Sequence, residues 1–387
     1  MQDNIRKTIG EVFSDIADAI ESGSFINKVR VGITVPGSEH GTDEIIKAAK
    51  MAMTKYGDFD VVLIGAKHGS GFESYEADTL EEAHKKMEEL LNSKRIDCAV
   101  TMHYNFPIGV STVGRVITPG CGREVFISAS TGTSSANRAE SIFKNALYGI
   151  IVAKASGNLN PSIGILNIDG ARQAERALKE LQRSGYNINF AASVRKDGGS
   201  IMRGNDLLHG TCDVMVTDSL TGNILVKLLS SFTTGGSYES IGYGYGPGIG
   251  EGYNKVISIV SRASGAPVIC EALRYAATMV KNGILDIAGK EFEAAKRAGY
   301  NKILDRFSEG HEKKDTIAVN VPPKKVVTYQ IAGVDILELE DAVKELWEND
   351  VYSESGMGCT GPIILVSSDE GDKARGILIK KGYLSPN

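Results

Sequence analysis

From residue 29 to about residue 230, short runs rich in valine and isoleucine alternate with stretches whose apolar residues recur at helical spacing. The pattern predicts strands at 29–35, 60–65, 96–102, 124–129, 162–168, 188–193 and 213–217, with helices at 43–56, 80–91, 138–155, 171–184 and 222–230. Strands separated by helices pair in parallel, and a parallel sheet needs helices over both faces. The expectation is therefore an α/β chain, a three-layer α/β/α arrangement around a mostly parallel mixed sheet. Helices near 266–282, 287–306, 338–348 and 371–381, and strands near 316–320, 325–329 and 363–367, continue the pattern. Before it, Ile5, Ile9, Val12, Phe13, Ile16 and Ile20 predict an amphipathic helix over 3–21, broken by glycine and serine at 22–24. The chain thus divides into an N-terminal helical segment, 1–24, and an α/β region, 25–387.

Composition narrows the function classes. A net charge of −5 argues against nucleic acid or an anionic membrane surface as the main partner. No apolar run approaches the ~18 residues that span a bilayer. Acidic residues from Asp3 to Glu21 rule out a signal-peptide core. The five cysteines, Cys98, Cys121, Cys212, Cys270 and Cys359, are widely spaced, odd in number and without a CxxC pair. They suit reduced thiols in the cytoplasm and neither a disulfide framework nor a zinc site. Cys98, Cys212 and Cys270 fall in apolar runs and read as packing residues. Cys121 and Cys359 are flanked by glycines, Cys359 within Ser355-Gly356-Met357-Gly358-Cys359-Thr360-Gly361-Pro362 just before an apolar strand. Glycine clears space around a thiol, so Cys359 reads either as a small turn residue or as a nucleophile.

Three loops offer anion-binding chemistry. At the end of the first strand, Ser38, His40 and Gly41 precede a capped helix, where backbone N–H groups are free to meet an anion. After strand 213–217, Thr221, Gly222 and Asn223 open a helix, with Lys227 one turn further on. A third loop, 196–206, carries Arg203. Each has an ordinary reading as a capped turn or a solvated charge. Backbone N–H groups around Gly358, Thr360 and Gly361 are candidate donors to an oxyanion beside Cys359. The segment 235–253 has glycine at almost every second residue and reads as irregular, either a surface linker or a mobile docking loop.

Taken in order, Gly37–Gly41, the run Asn160-Pro161-Ser162-Ile163-Gly164-Ile165-Leu166-Asn167-Ile168, Arg203–Leu208 with Asp213–Lys227, and Ser353–Arg375 resemble the motifs of the PlsX-like phosphate acyltransferase family. The likeness covers most of residues 28–380, and Thr217-Asp218-Ser219-Leu220-Thr221-Gly222-Asn223 is its most specific part. It implies an isocitrate/isopropylmalate dehydrogenase-like fold with two intertwined subdomains around a cleft, 25–125 plus 325–387 and 126–324. Cys359, the 235–253 segment and the N-terminal helix depart from the acyltransferase pattern. In these the chain resembles the alpha subunits of component C of glycine/sarcosine/betaine reductase complexes. That resemblance implies an acetyl thioester on Cys359, inorganic phosphate as co-substrate, and neither cofactor nor metal. It also implies an oligomeric assembly with a component C beta subunit and the selenoprotein component A. The alternatives are an acyl-carrier-protein-dependent phosphate acyltransferase and a non-catalytic scaffold for the beta chain.

Overall fold

The structure is a computed structural model that describes residues 28–65, 71–195, 199–309, 321–334, 339–358 and 361–384, with positions 13, 16, 17 and 20. The N-terminal helix expected over 1–24, apart from those four positions, and the strand expected near 316–320 lie outside the described residues, as do Lys196, Cys359 and Thr360.

In chain order the first half comprises β1 (Val29–Thr34), α1 (Thr42–Lys55), β2 (Phe59–Ile64), β3 (Glu73–Tyr75), α2 (Leu80–Asn92), β4 (Cys98–Thr101), β5 (Val110–Ile117), β6 (Glu124–Thr133), α3 (Arg138–Ala155), β7 (Ser162–Leu166) and α4 (Ala171–Arg183). There follow β8 (Asn189–Phe190), β9 (Ile201–Met202), α5 (Gly204–His209), β10 (Val214–Val216), α6 (Ser219–Ser231), β11 (Gly246–Ile249), β12 (Ile257–Ile259), α7 (Ala266–Lys281), α8 (Ile284–Arg297) and α9 (Tyr300–Glu309). The last part holds β13 (Tyr329–Ala332), α10 (Leu339–Glu348), β14 (Ser353–Gly358), β15 (Gly361–Val366) and α11 (Gly371–Lys380).

Twelve strands form one sheet in the order β3-β2-β1-β4-β12-β11-β5-β6-β10-β7-β8, with β9 also on β7. Two parallel half-sheets, β3-β2-β1-β4-β12 and β6-β10-β7 with β8 and β9, meet through antiparallel pairings of β11 with β12, β11 with β5 and β5 with β6. Alternate residues of each strand enter different cores, which is why both faces need helices. Val61 and Leu63 of β2 pack in one cluster with Ile45 and Ala49 of α1, while Val62 and Ile64 pack in another with Ala83 and Met87 of α2. This is the expected three-layer arrangement. The residues 126–324 include β11 and β12, and β12 pairs with β4 and β11 with β5 of the 25–125 segment.

Residues 329–384 build a separate sheet, β13-β15-β14, over a third core of Ile331, Leu339, Leu346, Ile364, Ala374 and Leu378. It meets the large sheet where Gly356 of β14 bridges to Pro107, in the loop before β5.

Several expectations are corrected. The segment 235–253, expected as a surface linker or a mobile docking loop, holds a sheet strand instead. Its β11 is fully buried in the middle of the large sheet. Gly246 has φ +75°, and a Cβ there would lie 1.8 Å from the carbonyl oxygen of Val113. Glycine is what lets β5 and β11 come together at that point. The helix expected over 287–306 is two, α8 and α9, divided at Ala298 and Gly299. The strand expected at 325–329 begins instead at Tyr329. Strands β5 and β14 and the short β3, β9 and β12 add to the strands read from sequence.

Candidate active site

The two half-sheets run in opposite directions, and a cleft of about 670 Å³ opens where they meet. One side of the cleft is built by Met102, His103 and Tyr104 after β4 and by Ile259–Arg262 at the end of β12. The other is built by Ser130, Thr131 and Gly132 near the end of β6 and by the first two turns of α6. Met357, Gly358 and Pro362, from the hairpin of β14 and β15, close it. The hairpin register pairs Gly358 with Gly361, the residues on either side of Cys359 and Thr360 in the sequence.

Helix α6 starts three residues before the position expected from sequence. Asp218 is its N-cap, and its carboxylate accepts from the Thr221 N–H at 2.9 Å and from the Thr221 hydroxyl at 2.7 Å. The Gly222 N–H donates to Asp218 O at 2.9 Å. The N–H groups of Thr221 and Gly222 are therefore already engaged, and the donors left at the helix start are those of Ser219 and Leu220, which line the cleft. Gly222 serves packing instead: a Cβ there would stand 1.7 Å from Ala129 O, so only glycine lets α6 lie against β6. Asn223 lines the cleft and donates through Nδ2 to Ser130 O at 3.2 Å.

The loop after β1 closes on itself. The His40 N–H donates to Ser38 Oγ at 3.1 Å, and Gly41 N–H to Ser38 O at 3.3 Å. The His40 ring lies 3.2 Å from Ala263 O and packs against Tyr238. Ser38, His40 and Gly41 do not line the cleft, and the free N–H groups expected at residues 40 and 41 are spent locally; from this loop Glu39 faces the cleft. Arg203 caps α5, donating its N–H to Asp206 at 2.8 Å, and is likewise not a cleft residue.

Of the expected cations, Lys227 faces the cleft, 3.3 Å from Ser261 Oγ and 3.7 Å from the buried carboxylate of Glu239. Arg262, which the sequence reading passed over, is exposed at the cleft wall and forms no ion pair among the described residues. Burial, and then the charge of Arg262, hold His103 below the usual imidazole range. Behind it His84 is pushed down to about 4, chiefly by burial. The Thr101 hydroxyl donates to His103 O at 3.2 Å and accepts from Thr34 at 2.7 Å, so His84 Nε2, at 3.0 Å, donates to it. His84 and His103 thus share a cleft wall with Gly358 of the hairpin.

The thiols separate. Cys98, Cys212 and Cys270 are buried, and burial raises all three, Cys212 to about 12 and Cys270 to about 11. Cys121 is exposed in the turn before β6 and donates to His209 O at 3.0 Å. Seven residues of β6 separate Glu124 from Thr131 at the cleft, about 23 Å of strand. Cys121 and His209 therefore stand at the far end of β6 from the cleft. The sequence signals passed over were Ser130-Thr131-Gly132-Thr133-Ser134, the hydroxyl-rich end of β6, and Ser261-Arg262-Ala263-Ser264-Gly265, a hydroxyl-rich turn between β12 and α7. Among the described residues no three His, Cys, Asp or Glu side chains converge as a metal ion requires, and no helix is long and apolar enough to cross a membrane.

Comparison with known proteins gives this geometry a family. Residues 29–365 match the model of the family described as fatty acid synthesis protein. The chain is 58% identical, over 99% of its length and 100% of the relative's, to the glycine/sarcosine/betaine reductase complex component C subunit alpha of Peptoclostridium acidaminophilum. It is 25% identical to a phosphate acyltransferase of Geobacillus thermodenitrificans, over 68% of this chain and 99% of that one. A crystal structure of a branched-chain phosphotransacylase from Enterococcus faecalis aligns with 65% of this chain and 99% of its own, at 16% identity and a TM-score of 0.47. The match over residues 29–365 places the chain in the fatty acid synthesis protein family, whose phosphate acyltransferases its sequence motifs resemble.

Proposed function

We propose that this chain transfers an acetyl group to inorganic phosphate through a thioester on Cys359, as the alpha subunit of component C in a glycine/sarcosine/betaine reductase complex. The observation that carries the reading is the hairpin. Met357, Gly358 and Pro362, which flank Cys359 in the chain, line the same cleft as Arg262, Lys227 and the start of α6. The relatives supply the reaction class, being named as phosphate acyltransferases and as a reductase component.

The group arrives as a carboxymethyl on the selenium of the partner selenoprotein, component A. The Se–C bond breaks and its methylene becomes a methyl as the selenium and a thiol of that partner are oxidised to a selenosulfide, while the carboxyl carbon forms a C–S bond to Cys359 and loses one oxygen as water. A phosphate oxygen then attacks the thioester carbonyl. A C–O bond forms, the C–S bond breaks, its electron pair returns to sulfur, and acetyl phosphate leaves. Holding the acetyl group as a thioester makes its discharge an acyl substitution with a thiolate as leaving group. A thiol that titrates near ~8.5 needs nearby positive charge to be a thiolate at neutral pH. Arg262 is the cation best placed to supply it, since Lys227 is already held by Glu239 and Ser261. The N–H groups of Gly358, Thr360 and Gly361 are the candidate oxyanion donors. No redox cofactor is required, because the partner carries the electrons.

The test is acetyl phosphate formation by the assembled complex with Cys359→Ser. Loss of product with unchanged assembly supports the reading, and full turnover ends it. Long-chain acyl phosphate formation from acyl carrier protein by this chain alone would favour the alternative activity.

A further inference from the structure

A second, smaller cleft of about 380 Å³ lies on the other face of the β14–β15 hairpin, with Ile363 in its wall where the larger cleft has Met357 and Pro362. It shares three residues with the larger one: His103, Arg262 and Gly358. Its own walls come from Leu80, Glu81 and His84 of α2, Thr328 and Gln330 at β13, and Ile363 of β15. Gly358, the residue before Cys359, therefore lines two cavities, and the Arg262 guanidinium, which forms no ion pair among the described residues, is shared by both.

The two cavities differ in what they can admit. The larger one is lined by Met102, Leu220, Ile259, Val260, Met357 and Pro362 around its polar floor. Its volume and apolar walls suit an acyl group presented by a carrier. The smaller is narrower and more polar. Its titratable groups are Glu81, His84, His103 and Arg262. Both imidazoles are held neutral, His84 by burial and His103 by burial and Arg262, so Arg262 is the only fixed positive charge among these four groups. Arg262 supplies the fixed charge and a planar fork of donors that matches phosphate. Glu81 is exposed at the mouth, where solvent screens its opposing charge most.

We propose that the smaller cleft is the route and waiting site of inorganic phosphate, while the larger cleft takes the carrier-borne acyl group, so that the two substrates reach the hairpin tip from opposite sides. The inference rests on the thioester reading of Cys359. The attack itself is the one already balanced: C–O bond made, C–S bond broken, electron pair to sulfur.

The experiment separates loading from discharge. The full chain, in its complex, is acetylated from charged selenoprotein without phosphate. It is then discharged with increasing inorganic phosphate, and the adduct is followed by mass. Thr328 and Gln330 are exposed, so Thr328→Trp and Gln330→Trp narrow the smaller cleft without disturbing a core. Both variants are expected to load at the wild-type rate and to need about tenfold more phosphate, or beyond, for half-maximal discharge. Gln330→Glu and Gln330→Lys keep the test open should a tryptophan variant misfold: Glu raises the half-saturating phosphate, Lys lowers it, and added salt shrinks both effects. Unchanged phosphate dependence in all four variants overturns the route, as does equal slowing of loading and discharge. A wild-type chain that never carries the adduct removes the thioester reading itself, and the route with it.

Discussion

Two glycine-rich segments of this chain have opposite fates. Residues 235–253 place β11 in the centre of a twelve-stranded sheet, where glycine permits backbones to touch. Residues 355–358 and 361 belong to the hairpin of β14 and β15 at the edge of a cleft, where glycine leaves room for something else. Composition alone does not distinguish them. The neighbours do: a Cβ on Gly246 would stand 1.8 Å from Val113 O, whereas one on Gly356 would find its nearest atoms, on Ile363 and Leu365, at an ordinary 3.6 Å. Packing makes glycine obligatory at Gly246, whereas at Gly356 it is permissive.

The comparison breaks most readily at Gly246. Gly246→Val is expected to cost more than about 4 kcal/mol or to abolish soluble expression, because both the contact and the positive φ oppose a side chain. Urea denaturation measures it, and a near-wild-type midpoint would show that the centre of the sheet is not packed as described. Next in size is a pH effect beside the hairpin. His84 is neutral in the fold, titrating at about 4 against 6.5 when free of the fold. The unfolded chain binds that proton first as pH falls, so stability is full above pH 6.5 and declines between 6.5 and 4 by up to about 3 kcal/mol. His84→Gln should flatten this part of the stability profile; an unchanged slope would contradict the buried neutral imidazole. Arg262→Ala is expected to raise the half-saturating phosphate by about ten- to a hundredfold, the worth of one charge-assisted hydrogen bond. Steady-state kinetics with varied phosphate checks this, and an unaltered value would remove Arg262 from the phosphate's path. The smallest effect belongs to Gly356→Ala, expected within about 1 kcal/mol of wild type in denaturation. A large loss there would mean that the hairpin is as tightly packed as β11.

What the sequence disclosed follows from how local each signal is. Helix α3 coincides with its expected span, because an Asn137 cap and a long apolar run mark it without outside help. The alternation through β10 likewise gave the layers. Strand β11 was hidden because its glycines argue against a strand unless β5 and β12 are known to lie alongside. The start of α6 was misplaced for a related reason. Thr221 and Gly222 look like an opening turn, yet Asp218 is the cap and Gly222 answers to Ala129 on another strand. Of the candidate site residues, Asn223, Lys227 and Gly358 meet at the cleft, while Ser38, His40, Gly41, Thr221, Gly222 and Arg203 do not line it. Arg262 and His103 were not singled out because only the meeting of β4, β12 and the hairpin sets them beside Gly358. Cys359 and Thr360 lie outside the described residues, so the thiol enters through its sequence neighbours.

The most direct measurement is peptide mass analysis of the complex charged with carboxymethylated selenoprotein in the absence of phosphate. The account predicts an acetyl adduct on the Cys359 peptide, none on Cys121, and loss of the adduct with release of acetyl phosphate when phosphate is added. An unmodified Cys359 peptide under those conditions, while the complex still makes acetyl phosphate once phosphate is supplied, would contradict it.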